Sequence, residues 1–268
     1  MQDEFSLAAV QMVSAPEVAV NLDSARRLIG DAAQRGAQLV LLPEYWPIMG
    51  RHETDKIAHA EQPGSGPIQA FMGAAAREHG IWLVGGTVPL AAPVPGKVLN
   101  TILVYDPDGR QAARYDKIHL FSFTREHESY DEARTIMHGE RVAAFDAPFG
   151  RVGLSVCYDL RFPELYRALG DCALIVVPSA FTYTTGRAHW ELLLRARAVE
   201  NQCYVLAAAQ GGVHPSGRRT WGHSMLIDPW GEVVSVLPEG EGVVAGTLDL
   251  RRLRDVRRSL PALEHRKL

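Results

Sequence analysis

Short, continuously apolar segments alternate with helical patterns along this chain, and this alternation limits the fold more than any other feature. Residues 38–44 (Gln-Leu-Val-Leu-Leu-Pro-Glu) and residues 172–178 are typical of strands that are buried on both faces. Between such segments, apolar residues recur at helical spacing in 22–33 and in 187–202. Buried strands separated by helices imply sheets that helices cover. We therefore expect an α/β fold with the sheets inside and the helices outside.

Local signals predict the ends of several of these elements. Asn21 and Thr185 are candidate N-caps, one for the first helix and one for the long helix over 187–202. Gly80 is the expected stop of a helix that begins at Pro67. Residues 81–90 are expected to form a single strand.

Composition and charge narrow the possible partners. The chain has 268 residues, of which 47% are apolar, and no polar linker divides it. We therefore predict one domain over residues 1–268. The formal net charge is −3, so no overall basic field would attract nucleic acid or anionic lipid. We expect neither a nucleic acid nor a membrane as a partner.

The cysteines and the first residues favour the cytoplasm. Cys157, Cys172 and Cys203 do not suit a disulfide framework, because their number is odd and none forms a Cys-x-x-Cys pair. Free thiols fit a reducing compartment. The first ten residues lack the basic and apolar regions of a signal peptide. No segment approaches the roughly 18 consecutive apolar residues of a membrane span.

Cys157 lies at a predicted corner between a strand and a helix. Val152, Leu154 and Val156 alternate as in a strand that ends at the cysteine, and Pro163 suits the first turn of a short helix after it. At such a corner we expect the thiol to face solvent beside backbone N–H groups, as the nucleophiles of hydrolases do. The alternative is a buried core cysteine.

Two charged residues at other predicted strand ends could activate this thiol. Glu44 ends the segment 38–44, and Lys117 follows Ala-Arg-Tyr-Asp. Glu44 could take the thiol proton as a general base and return it to a leaving amine. Lys117 could stabilise the thiolate and an oxyanion, with the Tyr158 N–H as a second donor. Taken singly, Glu44 could equally be a solvated loop carboxylate and Lys117 a surface lysine.

Three segments resemble the signature segments of the nitrilase superfamily of carbon–nitrogen hydrolases in order, context and spacing. They are Leu-Leu-Pro-Glu44, Tyr-Asp-Lys117-Ile-His-Leu-Phe and Val-Cys157-Tyr-Asp-Leu-Arg-Phe-Pro-Glu. The resemblance extends over about residues 5–258. It implies a four-layer α-β-β-α sandwich in which helices cover two mixed sheets. It also implies a catalytic triad of Glu44, Lys117 and Cys157 that uses neither a metal nor an organic cofactor.

The resemblance further implies a second active-site glutamate between the lysine and the cysteine. Glu132, seven residues before Gly139, is the residue that we expect in this position. Residues 123–129 depart from the family pattern, so Glu126 and Glu128 remain alternatives. A carboxylate beside the lysine would position its ammonium and support proton transfer.

Residues 178–205 are similar to the superfamily branch that contains deaminated glutathione amidase and ω-amidase. Within this branch, residues 204–210 and 222–231 favour a resemblance to deaminated glutathione amidase. This similarity implies an amidase that acts through a thioester on a small amide carrying carboxylate groups. The favoured substrate is deaminated glutathione, cleaved to α-ketoglutarate and Cys-Gly as metabolite repair. One alternative is an ω-amidase acting on α-ketoglutaramate or another small carboxylic amide. An inactive hydrolase-like scaffold is the alternative of a different class.

An acidic substrate needs cationic or hydrogen-bonding residues in its pocket. Arg161, four residues after the cysteine, could bind a carboxylate through two hydrogen bonds. Its alternative is an ion pair with Asp159 or Glu164. Thr182 and Tyr183 could line the pocket, and ordinary loop packing is the alternative for both.

The C-terminal segment, residues 249–268, carries the one local basic run of the sequence. A nucleic-acid contact would suit such a run, but the run is short and amphipathic and acids elsewhere balance it. A solvated helix or a subunit contact therefore fits better. In the superfamily such segments often cross a dimer interface, so we expect this segment to be an interface tail of at least a homodimer.

Overall fold

The computed structural model describes residues 2–125 and 128–267. Its helices are α1 (Val18–Gln34), α2 (Asp55–Ala58), α3 (Pro67–His79), α4 (Pro163–Ala168), α5 (Tyr183–Asn201) and α6 (Leu250–Ser259). Its strands are β1 (Glu4–Gln11), β2 (Leu39–Leu41), β3 (Trp82–Val84), β4 (Val88–Ala91), β5 (Val98–Tyr105), β6 (Gln111–Asp116), β7 (Ser122–Arg125), β8 (Glu128–Asp131), β9 (Ala143–Ala147), β10 (Gly150–Leu154), β11 (Leu174–Ser179), β12 (Tyr204–Ala209), β13 (Gly211–Val213), β14 (Arg219–Trp221), β15 (Ser224–Ile227), β16 (Val233–Leu237) and β17 (Gly242–Asp249). None of the helices within these ranges is long and apolar enough to cross a membrane.

In this part of the chain the strands form two large mixed sheets and two short hairpins. The first sheet has the order β17-β1-β2-β3-β5-β4, and β6 also pairs with β5. Its strands β1, β2 and β3 are parallel, and its other pairs are antiparallel. The second sheet has the order β16-β15-β12-β11-β10-β9, with β10, β11 and β12 parallel. The hairpins are β7–β8 and β13–β14.

Strand β1 illustrates how the layers are built. Ala8 belongs to an apolar cluster that includes Ile29 of α1 and Met72 of α3. Leu7, the preceding residue, belongs to a different cluster that the first sheet shares with the second sheet. Successive side chains of a strand point to opposite faces, so one face of the sheet meets the helices and the other meets the second sheet.

The second sheet is covered in the same way on its outer face. Trp190 and Leu194 of α5 pack into the cluster that contains Val205 of β12. The layers therefore run from α1 and α3 through the two sheets to α4 and α5. This is the four-layer α-β-β-α sandwich that the family resemblance implied, and the predicted fold class is confirmed.

The predicted strand over residues 81–90 is in fact two strands, β3 and β4, and the break between them shapes the site. Gly86 has a φ of 52°, and a Cβ atom there would lie 2.1 Å from Pro43 O. Only glycine permits so close an approach of two backbones. Beyond the break, Thr87 N donates to Pro43 O at 3.3 Å. These contacts hold the turn that carries Glu44.

Asn21 does not cap α1, contrary to the prediction. The helix begins at Val18, and Asn21 is buried in its first turn. The Asn21 side chain accepts from Ala15 N at 2.7 Å and donates to Ala15 O and Pro47 O at 2.8 Å. It therefore satisfies the backbone of two loops, which is a contact between separate segments that a local pattern does not reveal.

The basic run of α6 is neutralised by acids of its own chain. Arg252 pairs with Asp228 at 3.0 Å, and Arg254 pairs with Asp3 at 2.8 Å. The opposite face of the helix is apolar and includes the buried Val256. These cations are thus engaged within the protomer, which fits the expectation of a docked, solvated helix better than that of a nucleic-acid surface.

Candidate active site

The fold brings four of the predicted residues together where strands of both sheets end. Glu44 lies in the turn after β2, and Lys117 directly follows β6. Cys157 begins a short 3-10 turn after β10, and Glu132 begins another after β8. Because the two sheets pack face to face, these distant parts of the sequence meet in one buried cluster.

Glu44 is fixed between the lysine and the cysteine. Its Oε1 accepts from Lys117 Nζ at 2.8 Å and from Asn100 Nδ2 at 2.9 Å. Its Oε2 accepts from Ala180 N at 2.8 Å. The carboxylate also lies close enough to the thiol of Cys157 to raise the pKa of that thiol. A carboxylate beside a thiol is in the position that a general base requires.

Lys117 is fully buried between two carboxylates. Its Nζ lies 2.8 Å from Glu44 Oε1 and 2.8 Å from Glu132 Oε2. Burial alone would lower the pKa of Lys117, but Glu132 and Glu44 outweigh burial and hold this pKa well above its usual range. Lys117 is therefore an ammonium, with three N–H groups to donate.

Glu132 is held in turn by several donors. Its Oε1 accepts from Tyr45 OH at 2.6 Å, and its Oε2 accepts from Phe121 N at 2.7 Å. Burial raises the pKa of Glu132, but Lys117 and these hydrogen bonds outweigh burial and lower it. Glu132 is therefore an ionised carboxylate that orients the lysine.

Glu132, the expected second glutamate, contacts Lys117 directly. Both of its oxygens contact Lys117 Nζ, at 3.0 Å and 2.8 Å. Glu126 lies outside the described residues, and the side chain of Glu128 does as well. The geometry therefore supports Glu132 as the carboxylate beside the lysine.

Cys157 occupies a strained corner. Its φ is 49°, in the left-handed region that residues other than glycine rarely adopt. The strain turns the chain from β10 into the 3-10 turn Cys157–Arg161. The expectation that the thiol faces solvent is wrong, because the residue is only 7% exposed and lines an internal pocket.

The thiol is protonated in the free protein. Burial raises the pKa of Cys157, Glu44 raises it further, and Lys117 lowers it, with the result well above the usual range. Lys117 favours the thiolate as expected, but burial, which has the largest influence, and Glu44 outweigh Lys117 in the free protein. Deprotonation must therefore accompany attack, and Glu44 is the neighbouring carboxylate that can accept the proton.

Asp159 ties the cysteine corner to the segment that carries Lys117. This carboxylate is completely buried. Its Oδ2 accepts from Tyr115 OH at 2.7 Å and from Val156 N at 2.8 Å. Its Oδ1 accepts from His119 N at 3.0 Å. Because Tyr115 and His119 flank the lysine and Val156 precedes the cysteine, Asp159 fixes the two groups relative to each other.

A small pocket adjoins the thiol, with about 210 Å³ of empty space that includes some open solvent. Its walls come from the cysteine corner, from Phe121 and from the segment around the start of α5. The lining residues are Phe121, Cys157, Tyr158, Arg161, Ala180, Phe181, Thr182 and Thr185. Two of the three predicted substrate-binding residues, Arg161 and Thr182, are therefore in the pocket wall.

Arg161 presents a cation to this pocket. Its guanidinium lies 5.8 Å from the ring centre of Tyr158 and 5.6 Å from that of Phe181. Its Nη1 is 3.2 Å from His189 Nδ1. Asp159, one alternative ion-pair partner, instead directs its oxygens towards the lysine segment. The arrangement is compatible with binding of a substrate carboxylate.

The start of α5 differs from the prediction. The helix begins at Tyr183, and its N-cap is Thr182, whose Oγ1 accepts from the N–H of the predicted cap, Thr185, at 3.4 Å. Tyr183 packs against Trp221 at 5.2 Å between ring centres, and Arg219 lies 3.6 Å above its ring. Contacts of Thr182 and Tyr183 with a substrate stay a prediction.

Sequence analysis missed the residues that hold the carboxylates. Asn100 is a buried polar residue in the apolar strand β5, and such a residue is a usable signal because buried polar groups need partners. Tyr45 directly follows Glu44, but its partner Glu132 is far away in the sequence. Ala180 contributes only its backbone N–H, which no side-chain pattern marks.

Both the sequence and the fold are similar to those of known proteins over nearly their whole length. A family model described as carbon–nitrogen hydrolase matches residues 6–258. A deaminated glutathione amidase of Yersinia enterocolitica is 39% identical over 98% of this chain and 93% of its own length. An omega-amidase of Xenopus laevis is 38% identical over 98% of this chain and 95% of its own length. The crystal structure of Saccharomyces cerevisiae Nit3, a member of branch 10 of the nitrilase superfamily, has a TM-score of 0.89 and 31% identity, and the match covers 100% of this chain and 98% of that chain.

Proposed function

This chain belongs to the carbon–nitrogen hydrolase family and is an amidase, and we propose that Glu44, Lys117 and Cys157 are its catalytic residues. The family resemblance drawn from three sequence segments is thereby confirmed. One observation carries the proposed roles: the Glu44 carboxylate accepts a hydrogen bond from the ammonium of Lys117 and lies beside the thiol of Cys157, which lines a small pocket.

In the first half of the reaction, the sulfur of Cys157 attacks the amide carbon while its proton passes to Glu44. The carbonyl oxygen becomes an oxyanion, which accepts hydrogen bonds from Lys117 Nζ and from Tyr158 N. Glu44 then gives the proton to the departing amine. The C–N bond breaks, and the acyl group remains on the sulfur as a thioester.

In the second half, water attacks the thioester carbon and gives a proton to Glu44. The same two donors, Lys117 and Tyr158 N–H, stabilise the second oxyanion. The C–S bond breaks, the carboxylic acid leaves, and the proton returns to Cys157. Covalent catalysis in this form replaces one difficult step by two easier ones.

Glu132 has a positioning role in this scheme. It contacts Lys117 through both oxygens, and it is fixed by Tyr45 and Phe121. The ammonium is therefore pre-oriented before a substrate arrives, and no reorganisation is needed when the oxyanion forms.

We propose that the substrate is a small amide that carries carboxylate groups, and that deaminated glutathione is the preferred one. The products would be α-ketoglutarate and Cys-Gly, which would return a damaged metabolite to use. Similarity to the deaminated glutathione amidase of Yersinia enterocolitica supports this choice, as does the cation of Arg161 in the pocket wall. Similarity to the omega-amidase keeps α-ketoglutaramate as the second candidate.

Hydrolysis of a panel of amides by the wild type and by Cys157→Ala tests the proposal. Deaminated glutathione is expected to give the highest kcat/KM, with release of α-ketoglutarate, and Cys157→Ala is expected to abolish turnover. Cys172→Ala is the matched control, because Cys172 is also a buried free cysteine but does not line the pocket. Faster turnover of α-ketoglutaramate would favour the ω-amidase assignment, and turnover of no amide in the panel would favour the inactive scaffold.

Alkylation separates a catalytic thiol from the inert ones without any substrate. Cys157 lines the pocket, where a reagent can reach it, and Glu44 lies beside it to take its proton, whereas Cys203 is completely buried. We expect a small alkylating agent to modify Cys157 well before Cys172 or Cys203, as followed by peptide mass spectrometry. Equal, slow labelling of all three cysteines would contradict a nucleophilic role.

We further propose that the protein is a cytoplasmic, single-domain enzyme that forms at least a homodimer. The described cysteines are unpaired, which suits a reducing compartment. Apolar side chains of Leu192 and Val199 on α5 and of Trp230 nearby are about half exposed or more, and such surface suits a subunit contact. Sedimentation of the wild type and of Val199→Glu tests the dimer, and a monomeric wild type would contradict it.

A further inference from the structure

Arg218, which the proposed mechanism does not use, is an enclosed cation with an unusual environment. It lies in the turn between β13 and β14, and its Nε is buried without a hydrogen-bond acceptor. Within residues 2–125 and 128–267, no carboxylate lies at ion-pair distance from its guanidinium, whereas the adjacent Arg219 pairs with Glu239 at 3.9 Å. The guanidinium of Arg218 lies 5.3 Å from the ring centre of Tyr130.

An unpaired arginine in such a place needs an explanation. The guanidinium stays charged at all ordinary pH values, so it cannot escape the cost of burial by losing a proton. Enclosed charges in proteins are normally paired, because desolvation is otherwise uncompensated. The free N–H groups of Arg218 are therefore suited to an anion that is not part of the chain.

Arg218 faces a cleft that lies next to the catalytic cluster. The cleft has about 290 Å³ of empty space, part of it open to solvent, and its polar wall residues are Tyr45, His52, Glu53, Lys56 and Arg218. Tyr45 OH donates to Glu132, the glutamate that orients the catalytic lysine. Since Lys56 pairs with Glu53 at 2.7 Å, Arg218 is the wall cation without a carboxylate partner among these described residues.

Two ring contacts connect this cleft with the pocket at the thiol. The ring of Phe121, which lines the thiol pocket, lies 5.8 Å from the ring of Tyr130. The guanidinium of Arg218 lies over the same Tyr130 ring at 5.3 Å. These distances place the Arg218 guanidinium at most about 11 Å from the Phe121 ring. A dipeptide of roughly 7 Å can span this separation when its carboxylate stands about 4 Å from the guanidinium, as in an ion pair.

The chemistry of deaminated glutathione matches this arrangement of cations. One carboxylate belongs to the α-keto acid and the other to the glycine of the leaving dipeptide, on opposite sides of the scissile amide. Arg161 lies in the wall of the thiol pocket, and Arg218 lies in the neighbouring cleft. α-Ketoglutaramate carries only the first carboxylate, because its leaving group is ammonia.

We propose that Arg218 binds the carboxylate of the leaving group and so selects amides whose amine portion is a short acidic peptide. This inference rests on the proposed function and deepens it. Arg218 discriminates between the two candidate substrates: it contributes to turnover of deaminated glutathione and does not contact α-ketoglutaramate. A site built to bind a charged group strongly rejects an analogue that lacks the group.

The ratio of kcat/KM for the two substrates tests the proposal. Arg218→Gln is expected to lower kcat/KM for deaminated glutathione by about 10- to 100-fold, the size of a lost charge-assisted hydrogen bond. Its kcat/KM for α-ketoglutaramate is expected to change by less than about threefold. Arg218→Lys, which keeps the charge but not the two-pronged geometry, should fall between Arg218→Gln and the wild type. Arg254→Gln, which removes a surface cation of α6 that pairs with Asp3, is the control, and it should leave both substrates unaffected.

A modified substrate makes the test independent of folding. We expect the wild type to lose about the same factor on deaminated glutathione whose glycine carboxylate is replaced by a carboxamide. On this analogue, Arg218→Gln and the wild type should then be nearly equal, which is the coupling expected of a direct contact. Two results would overturn the role of Arg218 but leave the proposed function standing. One is an equal loss of kcat/KM on both natural substrates in Arg218→Gln, and the other is a wild type whose kcat/KM does not change with the carboxamide analogue. A wild type that hydrolyses α-ketoglutaramate but not deaminated glutathione would overturn the proposed substrate as well.

Discussion

Two regions of the molecule are rich in ion pairs, but the ion pairs of one region are buried and those of the other are exposed. In the active-site cluster, Lys117 and its partner Glu44 are 0% and 1% exposed. On α6, Arg258 pairs with Asp255, and their side chains are 78% and 59% exposed. The two regions contain similar chemical groups, so a comparison isolates the effect of the environment.

Burial determines what each ion pair contributes. A buried ion has lost its hydration, so removing its partner leaves an uncompensated charge. An exposed ion returns to water when its partner is removed, and the loss is small. We therefore expect the active-site cluster to tolerate almost no change, whereas the pairs on α6 should tolerate many.

Glu44→Gln is expected to have the largest effect. The amide keeps the shape of the side chain and can still accept from Ala180 N, but it cannot take the proton of Cys157. We expect kcat to fall by about 1,000-fold, within the range for loss of a general base. Initial rates on the preferred amide, together with circular dichroism of the variant, provide the measurement.

Glu61→Gln is a matched control for this substitution. Glu61 is also a buried carboxylate, but it accepts from Ile68 N at 2.6 Å and Gln69 N at 3.1 Å at the start of α3. Its substitution should lower stability and leave the rate nearly unchanged. If Glu44→Gln kept more than about a tenth of the wild-type rate, the general-base role would be lost.

Asp159→Asn is expected to have the second largest effect. An amide offers only one accepting oxygen, so it cannot satisfy both Tyr115 OH and His119 N as the carboxylate does. The lysine and cysteine segments should then shift relative to each other. We expect kcat to fall by about 10- to 100-fold while KM changes by less than about threefold.

The separation of kcat from KM distinguishes positioning from a general loss of structure. A variant that is merely less stable would regain the wild-type kcat per folded molecule at low temperature, and Asp159→Asn should not. An unchanged kcat, with stability alone reduced, would show that Asp159 supports the fold and not the catalytic geometry.

Asp159 also illustrates how far sequence reasoning reaches. The corner at Cys157 and the helix that starts at Pro163 were predictable, because strand alternation and proline position are local signals. The partners of Asp159 were not, because Tyr115 and His119 are 44 and 40 residues away. Local patterns locate the reactive groups, but they do not reveal which groups meet.

The failed predictions have the same cause. Asn21 has the residue type of a cap but bonds to two loops, and the strand over 81–90 breaks because Gly86 meets the backbone of Pro43. The thiol of Cys157 was expected in solvent but is enclosed by segments distant in sequence. In each case contacts between separate segments override a local preference.

His214 is a buried titratable side chain without an ion-pair partner among the described residues, so it extends the comparison of buried and exposed charges to an unpaired group. Its Nδ1 lies 3.0 Å from Ser14 O and its Nε2 lies 2.8 Å from Thr220 Oγ1. Burial lowers the pKa of His214 to about 4. The pKa of a histidine in an unfolded chain is about 6.5. Between about pH 4 and about pH 6.5 the unfolded chain therefore binds a proton that the folded chain does not. The free energy of unfolding should be undiminished above about pH 6.5 and should fall by about 2–3 kcal/mol as the pH drops towards 4.

Urea unfolding at pH 7 and at pH 4.5 measures this contribution. His214→Gln should shrink the difference in unfolding free energy between the two pH values, whereas substitution of the exposed His265 by Gln should leave it unchanged. A pH dependence that is identical in His214→Gln and in the wild type would rule out this histidine as its source.

Arg258→Ala is expected to have the smallest effect and gives the comparison its sharpest test. The pair with Asp255 is exposed, so the free energy of unfolding should change by less than about 0.5 kcal/mol, as measured by urea unfolding at several protein concentrations. A larger loss that appears only at high protein concentration would mean that a second copy of the chain covers α6. The pair would then be buried in the assembly, and loss of one partner would be as costly as it is in the active-site cluster.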